Sequence, residues 1–242
     1  MRPRPFLNID LGELPGEPES LYQAAHLANI ACGGHVGDAH SMAQALARCR
    51  RHGTAVGAHP SYVDHEGFGR RRLEMAPDDL AQAVRLQCAR LVEAASQVPL
   101  PVEYIKPHGA LYHVAHQEAA VARAVIEGAV AALGKDIVVL GPAGGALAQA
   151  AEVAGLAYAV EGFADRATHA DGSLVPRDQP GALILEPEAA ATRAWSLARA
   201  GRVDTLCVHG DTPGAEAIAR AVREVLERWY VHRQGGQGPR RG

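Results

Sequence analysis

Lysine is nearly absent from this 242-residue chain: of its 24 basic residues, all but Lys106 and Lys135 are arginine. Aromatic residues make up only 5%, the formal net charge is -3, and no basic stripe with interleaved aromatics occurs, which sets nucleic-acid binding aside. No apolar run reaches the roughly 18 residues that a membrane-spanning helix needs. The first residues, MRPRPFLNID, lack the apolar stretch of a signal peptide, so a cytoplasmic protein without a membrane partner is expected. The four cysteines, Cys32, Cys49, Cys88 and Cys207, form no CxxC pair and read as buried free thiols, neither a zinc site nor a disulfide framework. Also missing are HExxH and GxxxxGK[ST]. The stretch GPAGG at 141–145 lacks the lysine of a phosphate-binding loop, so the chain shows no ATP site of its own.

What is present suits one large domain: 48% hydrophobic and 21% charged residues, with no internal linker. Residues 1–233 are expected to form that domain and 234–242 a disordered tail. Short β-rich runs recur at 6–9, 27–32, 54–57, 102–105, 137–140, 157–160 and 205–208. Between them, apolar residues three or four apart predict helices over 39–52, 77–97, 117–133, 144–154, 187–200 and 214–231, and GALIL (181–185) reads as an extra short strand. Strand then helix, repeated, implies an α/β fold with a parallel sheet, either a barrel or a doubly wound sheet.

The polar residues gather just after the strands. Strand one runs into Asp10 and Glu13, strand two into His35 and Asp38, and strand three into His59. Strand four runs into Lys106 and His108, strand six into Glu161, Asp165 and Arg166, and strand seven into His209 and Asp211. In parallel α/β folds all of these exits open on one face, so residues distant in sequence converge there. Such a set suits a divalent metal or direct acid and base chemistry, and the spacing leaves both open. Lys106 is either a compact cation for proton transfer or oxyanion contact, or one half of a salt bridge. Arg70, Arg71 and Arg72 are either a clamp for an anionic ligand or a solvated face.

All of these residues except Glu161 and Arg72 lie in seven blocks: NIDLGE (8–13), ANIACGGHVGD (28–38), VGAHPSYVDHEGFGRR (56–71), KPHGALY (106–112), FADR (163–166), DGSLVPRDQPGALI (171–184) and CVHGDTPGA (207–215). In that order they resemble the LamB/YcsF family, the A subunits of prokaryotic ATP-dependent 5-oxoprolinase. The chain departs from the family pattern at Ile9, usually cysteine, at Gly34, usually phenylalanine, and at Thr168, usually tyrosine. The resemblance implies a seven-stranded β/α barrel similar to carbohydrate deacetylases. It also implies ATP-dependent opening of the 5-oxoproline lactam to L-glutamate with B and C subunits, which would handle ATP. Carried over residue by residue, the catalytic candidates are Asp10, Glu13, Lys106, His108 and Asp165. Candidate substrate contacts are Asp38, Arg70, Arg71, Arg166, His209 and Asp211, and by analogy with deacetylases Asp10, His35 and His59 are candidate ligands for a divalent metal. Two other readings fit the same residues: a stand-alone metal-dependent amidase or carbohydrate deacetylase, and a non-catalytic substrate-binding subunit.

Overall fold

In FLNIDL the apolar and polar residues alternate, and a strand sends alternate side chains to opposite faces. Leu7, Ile9 and Leu11 are fully buried under the surrounding helices, while Asn8 and Asp10 point into the interior of a barrel. The computed structural model describes residues 5–169 and 173–235, with side chains through Trp229. Its seven strands are β1 (Phe6–Leu11), β2 (Leu27–Ala31), β3 (Ala55–His59), β4 (Val102–Ile105), β5 (Val138–Gly141), β6 (Ala157–Phe163) and β7 (Thr205–His209). All pair in parallel, and β1 also pairs with β7, so the barrel closes in sequence order. The doubly wound alternative is thereby ruled out. The register aligns Asp10 with Asn29 of β2 on one side and with His209 of β7 on the other, and Ala31 with His59.

Eight helices cover the barrel among the described residues: α1 (Glu19–Ala24), α2 (Ala39–His52), α3 (Pro77–Ser96), α4 (Gly109–Gln117), α5 (Ala119–Leu133), α6 (Gly145–Ala154), α7 (Pro187–Ala200) and α8 (Ala215–Gly235). Their inward stripes, such as Leu80, Val84, Cys88 and Leu91 of α3, join the core around the strands. Helices α1 and α4 were not expected from the apolar spacing. The helix expected over 117–133 is divided from α4 at Glu118, whose extended backbone (φ -117°, ψ 116°) breaks the run. GALIL forms no strand: Leu183 makes an isolated antiparallel bridge with Arg166. Of the tail expected at 234–242, Gln234 and Gly235 end α8, and 236–242 lie outside the described residues, as do 170–172 within the DGSLVPRDQPGALI block.

Candidate functional site

The barrel interior near the strand ends is polar and packed. Lys106, just beyond β4, donates to Asp10 Oδ1 (2.8 Å) and Asn8 Oδ1 (3.2 Å) and lies 3.1 Å from both Cys207 Sγ and Glu161 Oε1. Asn29 Nδ2 also donates to Asp10 Oδ1 (2.6 Å) and to Asn8 Oδ1 (2.8 Å), and Asn8 in turn donates to Thr205 Oγ1. Burial alone would raise the Asp10 pKa, but Lys106 and His59 outweigh it and hold the carboxyl well below its usual range. Burial likewise opposes the charge on Lys106, and Asp10, Cys207 and Glu161 more than restore it. Among the described residues neither Glu161 oxygen accepts a hydrogen bond, and Oε1 has the Lys106 ammonium as its ion-pair partner.

Above this layer three histidines meet. His59 Nδ1 donates to the Lys106 carbonyl oxygen (2.7 Å), and its Nε2 lies 3.0 Å from His108 Nδ1 and 3.5 Å from Asp10 Oδ2. His108 Nε2 donates to the Phe68 carbonyl oxygen (3.0 Å), a group aimed by the left-handed backbone of Phe68 (φ 54°). The chain reaches His108 through a close crossing: Ala110 N donates to Gly69 O, and a Cβ on Gly109 (φ +56°) would stand 2.4 Å from that oxygen. His35 stacks flat on His108, with centroids 3.7 Å apart at 4°. Its Nδ1 donates to Ser61 Oγ, whose own hydrogen goes to the Tyr62 carbonyl, and its Nε2 lies 2.9 Å from Glu13 Oε1. Burial and the nearby Asp10 raise Glu13 to about 8, and burial lowers His35 to about 3. A neutral His35 with its hydrogen on Nδ1 accepts at Nε2, so Glu13 is a protonated acid donating to it. Glycine at 34 makes this possible, since a Cβ there would lie 2.4 Å from Ser61 Oγ and 2.2 Å from Gln87 Oε1.

Across the barrel, Asp165 accepts from His209 N (2.9 Å), His209 Nδ1 (3.1 Å) and Thr212 Oγ1 (2.8 Å). Burial disfavours the imidazolium of His209, yet Asp165 more than compensates and raises its pKa. His209 Nε2 then points at Asp10 Oδ2, 4.0 Å away. Both side chains line a cavity of 680 Å³ together with His59, Lys106, His108, Tyr112, Phe163 and the arginines Arg70, Arg72, Arg166 and Arg177. Asp211 accepts from Arg70 (2.5 Å) and Arg177 (2.8 Å), and among the described residues the buried Nε of Arg166 has no hydrogen-bond partner.

Of the residues selected from the sequence, Asp10, His59, Lys106, His108, Arg70, Arg166 and His209 line this cavity. Glu13, His35, Asp165 and Asp211 contact those lining residues from behind or beside them. Asp38 is elsewhere in role: its carboxylate accepts from Ser41 N and Ser41 Oγ accepts from Asp38 N, a reciprocal cap on α2. Arg71 turns away as well, to Asp64 and Glu66. Sequence reasoning passed over Asn8, Asn29, Ser61 and Arg177, and it gave Glu161 no role beyond the exit of strand six, although Glu161 lies within β6. Asn8 carried a signal, as a polar residue two positions before Asp10 on the same strand face. Three groups have donor atoms close enough to share an ion among the described residues: Asp10, His59 and His108; Asp10, Cys207 and His209; and Glu13, His35 and His108.

The model of the LamB/YcsF family matches residues 6–237. The A subunit of a 5-oxoprolinase from Chloroflexus aggregans is 44% identical over 238 residues, which is 91% of this chain and 94% of the relative. Its counterpart from Methylococcus capsulatus is 43% identical, with 91% of each covered. Among solved structures, the lactam utilization protein of Thermus thermophilus superposes with a TM-score of 0.87 at 35% identity, covering 94% of this chain and 97% of that one.

Proposed function

The chain belongs to the LamB/YcsF family, and from that premise we propose that it works as the A subunit of an ATP-dependent 5-oxoprolinase and opens the lactam ring to L-glutamate. The observation that carries the reading is the pair Asp10 and His209, 4.0 Å apart in a cavity edged by arginines, with the carboxyl pKa drawn down by Lys106 and the imidazole pKa drawn up by Asp165.

An unstrained lactam is a poor electrophile, so the carbonyl must be activated, and partner B and C subunits supply that activation by transferring a phosphoryl group from ATP to the carbonyl oxygen. Water held beside Asp10, His59 and His108 then adds to the carbonyl carbon and releases its proton to solvent. His209 Nε2 delivers a proton to the ring nitrogen as the C–N bond breaks. The resulting acyl phosphate yields glutamate and phosphate on addition of a second water. Arg166, whose Nε has a free hydrogen in a buried position, takes the substrate carboxylate, with Arg70 and Arg177 beside it at the cavity edge. Lys106 keeps Asp10 ionised and places positive charge on the side of the phosphorylated oxygen.

The test is glutamate release from 5-oxoproline and ATP by this chain alone, by B and C subunits alone, and by the mixture. Activity confined to the mixture is the expected result. ATP-independent turnover by the chain alone would replace this reading with the stand-alone amidase, which the metal-spaced cluster at Asp10 favours.

A further inference from the structure

We propose that Asp10 Oδ2, His59 Nε2 and His108 Nδ1 form the seat of one divalent transition-metal ion of the Zn2+ or Co2+ class. The ligand set differs from the one expected from the sequence, with His108 in place of His35.

The carbonyl partners fix the ring tautomers. A carbonyl oxygen only accepts, so the 2.7 Å contact to Lys106 O places the hydrogen of His59 on Nδ1, and the 3.0 Å contact to Phe68 O places that of His108 on Nε2. The remaining nitrogens, His59 Nε2 and His108 Nδ1, therefore carry lone pairs, and they face each other at 3.0 Å in the buried interior. Two lone pairs at that separation repel unless a proton on one ring or a metal ion lies between them, and a metal ion would engage both nitrogens and the nearby carboxylate at once. The Asp10 carboxylate completes the set. Its Oδ1 is taken by Lys106 and Asn29, which leaves Oδ2 directed at His59 Nε2, 3.5 Å away.

The spacing suits an ion. With metal–ligand bonds of about 2.1 Å, tetrahedral geometry puts ligand atoms roughly 3.4 Å apart, close to the 3.0 and 3.5 Å found here. The surroundings follow the habit of metal-bound histidines, which donate the other ring N–H to a carbonyl or carboxylate and so hold the ring in place. Charge is compatible with an ion there: Asp10 and Glu161 are two buried carboxylates beside the ammonium of Lys106, with His209 Nε2 4.0 Å from Asp10 Oδ2. His35 is outside the set because both of its nitrogens are engaged, by Ser61 and by Glu13. Imidazole with carboxylate donors selects the borderline first-row ions over magnesium or calcium.

A bound ion would lower the pKa of a coordinated water, supplying the nucleophile at ordinary pH. The inference rests on the ring-opening reading for that use alone, because the seat is read from the side chains. Its test accordingly omits substrate and partners. The chain is stripped with chelator, desalted and titrated with Co2+ and with Zn2+, following heat by calorimetry and the visible absorption of Co2+. About one equivalent bound with micromolar or tighter affinity, and a Co2+ spectrum of four-coordinate type, are expected. His59→Gln and His108→Gln, checked for folding by circular dichroism, are each expected to weaken binding about 100-fold or more, whereas His35→Gln stays within about tenfold of the parent. Less than about a tenth of an equivalent on the unaltered chain would overturn the proposal. So would affinity lost with His35→Gln and kept with His108→Gln, and the ring-opening assay would stand apart from either result.

Discussion

Asp165 grips His209 from two directions, accepting the backbone N–H and the ring Nδ1–H of the same residue, while Thr212 donates to one of the same oxygens. The grip fixes the ring plane and stabilises the imidazolium, with Nε2 left to face the cavity. One carboxylate thus sets both the charge and the aim of the proposed acid.

Replacing Asp165 with asparagine keeps the shape and removes that charge. In the assembled enzyme, Asp165→Asn is expected to lower kcat by about 10²–10⁴-fold, the usual worth of a positioned acid. KM should change little, since Asp165 does not line the cavity. Steady-state kinetics on reconstituted subunits checks both; an unchanged kcat would remove His209 from the proton-donor role.

At Gly34 the space a side chain would need is filled by Ser61 and by the buried Gln87, which binds both Ser61 N and Ser61 O. Gly34→Ala would set a Cβ 2.2 Å from Gln87 Oε1. A loss of about 1–3 kcal/mol is expected, the ordinary cost of overpacking. Urea denaturation of the two proteins measures it.

The Asp64 carboxylate is held at about 2, chiefly by its hydrogen bonds to Arg71 and further by Gly67 N. A carboxyl lowered from 3.8 in the unfolded chain favours the folded state above pH 4 and loses that contribution as the pH falls toward 2. Asp64→Asn should therefore be less stable than the parent near neutrality, and the gap should close between about pH 4 and pH 2. Denaturant midpoints taken across that range give the test, and a gap constant with pH would contradict it.

The strands and their polar exits were legible because each strand is a short apolar run that ends abruptly in charge, as in TLCVHGD, and parallel topology then sends every exit to one end. Local chemistry was harder to read. Asp38 reads as a substrate contact, yet the serine three positions on marks it as a helix cap, and capping satisfies backbone N–H groups that the loop otherwise leaves bare. The neighbours of His35 and His108 depend on Gly69 meeting Gly109 far along the chain, a contact that no periodicity announces. Glu161 and Asn8 sit inside strands, where a polar residue reads as an interruption until barrel closure shows that its face is interior.

Lys106 is the one buried ammonium in the barrel interior among the described residues, shared by Asp10 and Glu161 at 2.8 and 3.1 Å. Lys106→Met keeps most of the volume and leaves two buried carboxylates facing each other without their cation. Removing one partner of a buried pair costs about 3–5 kcal/mol, because the orphaned charge stays desolvated. The single variant should lose stability on that scale and should shift Asp10 toward the protonated form. Adding Glu161→Gln removes one of the two orphaned charges, so Lys106→Met with Glu161→Gln is expected to regain part of the loss, although Glu161→Gln alone stabilises nothing comparable. The non-additivity is the measurement: thermal denaturation of the four proteins in a double-mutant cycle gives the coupling between the two positions. Strict additivity would mean that Lys106 serves Asp10 alone.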